Sequence, residues 1–291
     1  MKPEINGFDL FGDPIIKNPL LREKYGEPPF SVIDTMSGSW KNRKLLWKAV
    51  GIKSEVGRKD NLLSYSSTLL SASNSTGTSI FDPVLCELMY RWFCPENGTI
   101  LDPFAGGSVR GIVANYLDYA YSGIELRSEQ VESNREQALQ ILPINNQPQW
   151  YCGDSDVVLD GSWMNRFDMI FSCPPYMDLE VYSNDPADLS NMTDEDFTNK
   201  YRSIIKKSVQ LMKKDGFAVF VIGDVRSKKT GFYKDFITIT KEAFYQAGCA
   251  LYNEAILLES LGMAAMKADR QFSANKKLVK VHQNILVFKK K

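Results

Sequence analysis

From Ile80 onward the chain alternates short apolar runs with longer amphipathic stretches, and this alternation is what most narrows the folds open to it. Residues 99–102, 121–125, 150–152, 167–172, 217–222, 249–258 and 283–288 read as strands. Helices are expected over 83–93, 108–117, 128–140, 193–213 and 232–246. Pro83 suits a first helical position, and Thr193 followed by Asp196 makes a capping-box-like start. The run 217–222 is apolar throughout, as a strand buried on both faces should be. Strands separated by helices predict an α/β, Rossmann-like fold: a mostly parallel, seven-stranded sheet covered by helices on both faces.

Residues 1–78 are different. Pro3, Pro14, Pro19, Pro28 and Pro29 punctuate the first part, 31–35 reads as a short strand, and 40–50 as a basic amphipathic helix closed by Gly51. The stretch 70–79 is rich in Ser, Thr, Asn and Gly and reads as a loop. The expected organisation is therefore a small N-terminal appendage, 1–78, with possible DNA contact, and a catalytic domain over 79–291. Trp40, Lys41, Arg43, Lys44 and Trp47 could grip a nucleic acid, although packing of an amphipathic helix on the main domain is the simpler expectation.

Composition excludes several chemistries. The five cysteines contain no CxxC pair, and His282 is the single histidine. A disulfide scaffold, a zinc knuckle and a Ser-His or Cys-His nucleophilic machine are disfavoured, so the chemistry is expected to run without a metal. No stretch approaches the apolar length of a membrane span and the start lacks a signal-peptide shape, which makes a cytoplasmic location the expectation.

In open α/β sheets ligands sit beyond the carboxyl ends of the strands. Asp102-Pro103-Phe104-Ala105-Gly106-Gly107-Ser108 lies at such an end, and Gly106 and Gly107 allow a tight turn that brings backbone against a ligand. Glu125 ends the next strand and is followed by Leu126; an acid there can accept hydrogen bonds from two ribose hydroxyls. Asp154 and Ser155 follow the third strand, where Asp154 can accept from an adenine amino group. The loop is neither Gly-x-Gly-x-x-Gly nor a lysine-bearing phosphate loop. A positively charged sulfonium donor needs no phosphate cradle, and Asp102 suits its charge.

Cys173-Pro174-Pro175-Tyr176 follows the strand 167–172. Two prolines stiffen the loop and present the Pro174 carbonyl rigidly. An exocyclic base amine is a poor nucleophile because its lone pair is conjugated with the ring. Hydrogen bonds accepted from its N–H groups would favour a pyramidal nitrogen, leaving catalysis to positioning and electrostatics. Tyr176 offers a flat face on which an extruded base can stack.

These residues together resemble the amino-group DNA methyltransferases dependent on S-adenosylmethionine. The segment 102–107 looks like their first motif, Glu125 like their second-strand acid, Asp154 like their adenine contact, and 173–176 like their catalytic tetrapeptide. Phe81, Asp82 and Pro83 resemble the segment before the first motif that also touches the donor. The likeness covers 80–288 and implies a class I methyltransferase fold, S-adenosyl-L-methionine as cofactor, and methylation of adenine N6 or cytosine N4 by base flipping. Arrangement and size further resemble short prophage-type adenine enzymes of low sequence specificity. One position departs: the family has Asp, Asn or Ser where this chain has Cys173. A thiol is a weak acceptor, so the Pro174 carbonyl carries more of the burden, and Ser172, one residue earlier, is expected to point the other way. The likeness of Cys to Ser favours cytosine; the prophage likeness favours adenine N6, the leading expectation. An RNA base amino-methyltransferase and a non-catalytic binding subunit are the competing readings.

No inserted recognition domain fits between Gly107 and Cys173, which implies short or relaxed specificity. Remaining for contact with DNA, expected to be double-stranded with one flipped base, are 1–78, the acidic loop 177–192 with Asp178, Glu180, Asp185 and Asp188, and 261–282. That loop could be a mobile lid or a plain connector. Although the net charge is zero, eight Lys/Arg stand against Asp269 alone from residue 261 to the end. Of these, Lys267, Arg270, Lys276, Lys277 and Lys280 are the candidates for phosphate contact, and the last three lysines fit a frayed tail.

Overall fold

The structure, a computed structural model, describes residues 5–8, 14–16, 19–52, 81–160, 163, 167–177, 187–227, 229–262 and 264–291. An antiparallel pair, β1 (Ile5–Phe8) and β2 (Pro14–Ile16), is followed by α1 (Pro19–Tyr25), β3 (Val32–Asp34) and α2 (Gly38–Ala49). The alternating part then runs α3 (Pro83–Phe93), β4 (Thr99–Asp102), α4 (Val109–Tyr116), β5 (Ala120–Glu125), α5 (Ser128–Ile141), β6 (Gln149–Cys152) and α6 (Ser155–Val158). It continues with β7 (Phe167–Ser172), α7 (Asp194–Leu211), β8 (Met212–Ile222), α8 (Phe236–Gln246), β9 (Cys249–Leu258), α9 (Ala264–Asn275) and β10 (His282–Lys290). The expected loop at 70–79 lies outside the described residues.

Among the described residues the main sheet has eight strands in the order β3-β9-β10-β8-β7-β4-β5-β6. Its pairings are parallel except those of β10, which runs antiparallel to both β8 and β9. The seven strands from β4 onward are those expected from the sequence, and they form a Rossmann-like, mostly parallel sheet. The chain moves outward from β4 to β6 and returns to β7 on the other side of β4, where the two pair through Ile100↔Met169 and Leu101↔Ile170. That reversal is the topological switch point, the place where such sheets bind ligands.

Side chains alternate between two apolar layers, as strand geometry requires. On β8, Val219 and Val221 join one core with Trp40, Leu88, Tyr90 and Phe171, while Ala218, Phe220 and Ile222 join the other with Phe197, Tyr201, Phe236 and Phe244. None of the described helices is long and apolar enough to cross a membrane.

Of the segment set apart as an appendage, β3 and α2 are built into this sheet and core. β3 pairs with β9 as the outermost strand, and Trp40 and Trp47 are buried. The Trp40 indole N–H and Lys44 donate to Asp82 at 3.2 and 2.8 Å, while Arg43 and the Trp47 indole donate to Glu87 at 2.7 and 2.9 Å. α2 is thus the packed amphipathic helix: of the side chains that could have gripped a nucleic acid, Trp40, Arg43, Lys44 and Trp47 face α3 instead, and Lys41 is exposed.

Other departures have local causes. α7 stops at Leu211 and β8 begins at once, because Met212 is drawn into the core opposite Phe167. Residues 232–235, expected in a helix, instead close a turn through the Arg226↔Tyr233 bridge, and α8 starts after Asp235, which takes φ 59°. α9 escaped the sequence reading, and none of its residues is buried, so its few apolar side chains mark no face turned to the core.

Candidate active site

The loop after β4 is held together by a buried carboxylate. Asp102 is 0% exposed. Its Oδ1 accepts from Phe104 N at 3.1 Å and Ser172 Oγ at 2.6 Å; its Oδ2 accepts from Arg110 Nε at 2.5 Å and the Tyr121 hydroxyl at 2.8 Å. Arg110 also donates to the carbonyls of Phe104 and Ala105 at 2.6 and 2.8 Å, and its guanidinium lies 4.7 Å from the Phe81 ring centre. Burial alone would lower the pKa of Arg110, but Asp102 outweighs it and keeps the guanidinium charged. Burial and then the same carboxylate push Tyr121 well above the ordinary tyrosine value. Asp102, expected to face a cationic ligand, therefore has its charge met inside the protein and works by shaping the loop. Arg110 was missed, although a lone arginine in the apolar stretch Val109–Val113 was the signal that could have revealed it.

The glycine turn is as the sequence implied. Gly106 takes φ +54°, in the left-handed region that favours glycine, and its carbonyl accepts from Asn134 at 2.8 Å. Asn134 continues a buried amide ladder on α5: Gln130 donates to Asn134 at 2.9 Å, and Arg127 donates to Gln130 at 3.0 Å. Ala105 N donates to Ile124 O at 2.9 Å, and Ser108 at the start of α4 donates to Gln137 at 2.6 Å. Gly107 completes the turn, and Phe104 packs on Tyr201 and Phe220.

Glu125 ends β5 beside this turn. Burial raises its carboxyl above the ordinary glutamate value, opposed first by Arg127, which donates from its backbone N at 3.1 Å and Nε at 3.3 Å, and also by the Gly106 N–H. The third segment is joined to the other two: Gly153 N donates to Glu125 O at 2.9 Å, and Ser155 Oγ donates to Pro103 O at 2.5 Å. Asp154 caps α6 by accepting from Asp156 N at 2.9 Å and pairs with Lys200 of α7 at 2.6 Å. Leu126 sits beside Glu125, its carbonyl 3.7 Å from Cys152 Sγ. The carboxyl ends of β4, β5 and β6 thus converge, bringing the 102–108 loop, Glu125 and Asp154 together. Phe81 reaches this group over Arg110, whereas Asp82 caps α3 and Pro83 is its buried first residue.

Across the switch point stands the tetrapeptide. Ser172 does point away from it, to Asp102, so the bond from Ser172 Oγ ties the two loops together. Pro174 is buried and Pro175 half-buried. The Tyr176 hydroxyl lies 3.5 Å from Cys173 Sγ, 3.4 Å from Val221 O and 3.3 Å from Gln283 Oε1. Its ring meets Phe236 edge-on, with centroids 6.2 Å apart, and a Cβ built on Gly223 would stand 3.6 Å from the ring. Met177, buried, takes φ 51°, a conformation a bulky side chain adopts at a cost in strain. Asp178, Glu180 and Asp185 of the expected lid lie outside the described residues. Asp188 is buried and accepts from Ser190 N and Oγ at 2.9 and 2.7 Å.

The basic candidates divide. α9 joins the carboxyl end of β9 to the start of β10, and Gln283 on that strand meets Tyr176, so Lys267, Arg270, Lys276 and Lys277 lie on the same rim as the tetrapeptide. Arg270 and Lys276 are exposed, and Lys267 and Lys277 half-buried. Lys280 turns inward: it donates to Asn284 at 3.4 Å, and burial lowers its pKa, partly offset by Asp224 and Glu259. The terminal lysines are not a frayed tail. Lys289 and Lys290 belong to β10, and Lys290 donates to Val209 O and Met212 O at 2.6 Å, closing the end of α7.

Glu125 is the acid the sequence reading assigned to ribose hydroxyls, and its raised pKa gives a pH test. A carboxylate accepts from hydroxyls, whereas its protonated form must donate, so lowering the pH through the raised pKa removes the acceptor. Under the donor reading raised by the sequence, affinity for S-adenosyl-L-methionine, measured by calorimetry, is expected to be constant while Glu125 is ionised and to fall on acidification, from a pH above the usual glutamate range. Glu125→Gln is expected to bind weakly, by about 1.5–3 kcal/mol per charged hydrogen bond lost, and to lose that acid limb.

No protein-family model matches the chain, and no curated protein does. Solved structures resemble it distantly. TrmN from Thermus thermophilus has a TM-score of 0.49 at 15% identity over 72% of this chain, which spans about half of that protein (49%). A candidate RNA methyltransferase, PH1948 from Pyrococcus horikoshii, has a TM-score of 0.49 at 15% identity, over 86% of this chain and 98% of its own. Magnesium protoporphyrin IX methyltransferase (ChlM) from Synechocystis PCC 6803, solved with SAM, has a TM-score of 0.44 at 10% identity, over 72% of this chain and 79% of its own. Likenesses this remote say nothing of substrate.

Proposed function

We propose that this chain transfers a methyl group from S-adenosyl-L-methionine to the exocyclic N6 amine of adenine in DNA, on a flipped base and with short or relaxed sequence specificity. The observation that carries the reading is the Ser172–Asp102 bond across the β4–β7 switch point, which sets a glycine turn beside a rigid Pro-Pro-Tyr loop. The turn fits the cofactor: Gly106 leaves room for close backbone approach, Glu125 and Asp154 offer carboxylates, and the 102–108 loop itself carries no phosphate-binding lysine. When bound, the cofactor supplies an electrophilic methyl on sulfonium. The chain's own part is to hold and orient. Glu125 would accept from the ribose hydroxyls, Asp154 from the adenine amino group, and the buried Asp102–Arg110 pair fixes the loop between them.

On the substrate side the Pro174 carbonyl would accept from the target amine and favour its pyramidal form, with Tyr176 beneath the base. Lys267, Arg270, Lys276 and Lys277 would meet phosphates on the same rim. A second reading, cytosine N4, is favoured by Cys173, which matches serine in size where the adenine enzymes have an acid or amide.

The test is incubation of unmodified DNA with labelled donor, digestion to nucleosides and identification of the base. N6-methyladenine is expected. N4-methylcytosine would transfer the assignment to the second reading. Label in structured RNA alone, or in neither polymer, would overturn the DNA reading.

A further inference from the structure

We propose that Phe232 is a wedge that enters the nucleic-acid stack and fills the gap left by the extruded base. The inference rests on the reading that the chain modifies a flipped nucleobase, and it names the residue that would hold the duplex open.

The placement argues for it. The chain leaves β8 through Gly223, which lies against the Tyr176 ring, and returns at Phe236, which meets the same ring edge-on. The turn between them therefore stands on the tetrapeptide's aromatic residue at both feet. It is a built turn: Lys234 N donates to Val225 O at 2.9 Å, Ser227 N to Phe232 O at 2.9 Å and Gly231 N to Ser227 O at 2.8 Å. Arg226 stacks at 3.8 Å over Tyr233 and donates to Gly231 O at 3.0 Å. Lys277, just beyond α9, braces the turn so closely that a Cβ on Gly231 would stand 2.6 Å from its Nζ.

On this braced turn Phe232 is 76% exposed, against 46% for the neighbouring Tyr233, over whose ring Arg226 stacks. Scattered exposed apolar residues are ordinary; this one stands on a turn whose two ends flank the Tyr176 ring, beside the place where a base would leave its stack. Lys229 is exposed on the same turn, and Lys276 and Arg270 on the neighbouring α9 segment, which gives the surroundings the charge that phosphates require. Apolar side chains inserted between base steps stabilise opened duplexes by replacing part of the lost stacking. A single strand has no such gap to hold open, and this sets the experiment.

Wild type, Phe232→Ala and Phe232→Trp would be compared on duplex DNA and on the same sequence as a single strand, with donor affinity and melting temperature measured alongside. Phe232→Ala is expected to lose about tenfold or more in kcat/KM on the duplex and about twofold or less on the single strand. Its donor affinity and melting temperature should match wild type, since the ring is exposed. Phe232→Trp should retain duplex activity, with its added indole fluorescence quenched when duplex is bound. An equal loss on both substrates, or no loss on the duplex, would overturn the wedge. A wild type that methylates single strands alone would also remove it while leaving the proposed reaction standing; a wild type that methylates no nucleic acid would sink both.

Discussion

Arg110→Met is expected to destabilise the fold by about 3–5 kcal/mol, the scale for removing one partner of a buried ion pair and stranding the other. The stranded group is Asp102, fully buried, which would keep its hydrogen bonds from Ser172 and Tyr121 but lose its only close cation among the described residues. The carbonyls of Phe104 and Ala105 would lose their donor as well. At about 2–4 °C per kcal/mol for a chain of this size class, the melting temperature should fall by roughly 6–20 °C. Methionine keeps the bulk over Phe81, so the loss reads charge and hydrogen bonding, not a cavity. The companion variant Asp102→Asn/Arg110→Met removes both charges and should recover much of the loss, because a neutral pair carries no stranded ion. A double variant as unstable as the single would show that the pair does not act as a unit.

Under the proposed function, Tyr176→Ala is expected to lower kcat by about a hundredfold or more, the scale of a misplacement at the reacting centre. The donor side should be untouched, because Glu125 and Gly106 lie across the switch point on the ends of β4 and β5. Affinity for S-adenosyl-L-methionine should therefore stay within about twofold, well below the roughly 1.4 kcal/mol that a tenfold change represents. Tyr176→Phe keeps the face and removes the hydroxyl, whose contacts to Cys173, Val221 and Gln283 at 3.3–3.5 Å are long for an O–H donor, so its kcat should fall by less than tenfold. If Phe were as damaging as Ala, the hydroxyl and its link to Gln283 would be the working part, and stacking would not. Steady-state kinetics on DNA with calorimetric donor binding separates these outcomes.

Several site features were legible because they are local. The turn at Gly106, the acid ending β5 and the Pro-Pro at the end of β7 each follow from short-range backbone geometry and from the period of apolar residues, which the sequence carries directly. Even the direction of Ser172 followed from strand alternation, since neighbouring residues on a strand face opposite ways. Asp82 was correctly placed at the start of a helix and Asp154 after the third strand, but their partners, Lys44 and Lys200, come from elements distant in sequence. The asymmetry has a simple source: caps and turns are satisfied within a few residues, whereas charge pairs are satisfied by whatever the fold brings near.

What the amino-acid order by itself determined is the succession of strands and helices, and with it the parallel sheet, its switch point beside Asp102 and the loops that emerge there. What only the tertiary structure decided is how the polar side chains are spent. Packing neutralised Asp102 with Arg110, turned Trp40 and Trp47 of α2 into the core, aimed Lys280 inward, fastened Lys290 to the end of α7 and left Phe232 in solvent. Apolar periodicity fixes which face of an element is buried because burial scales with area and needs no particular partner. A buried charge or hydrogen-bonding group needs a specific partner at a specific distance, and that partner is set by the three-dimensional path of the chain.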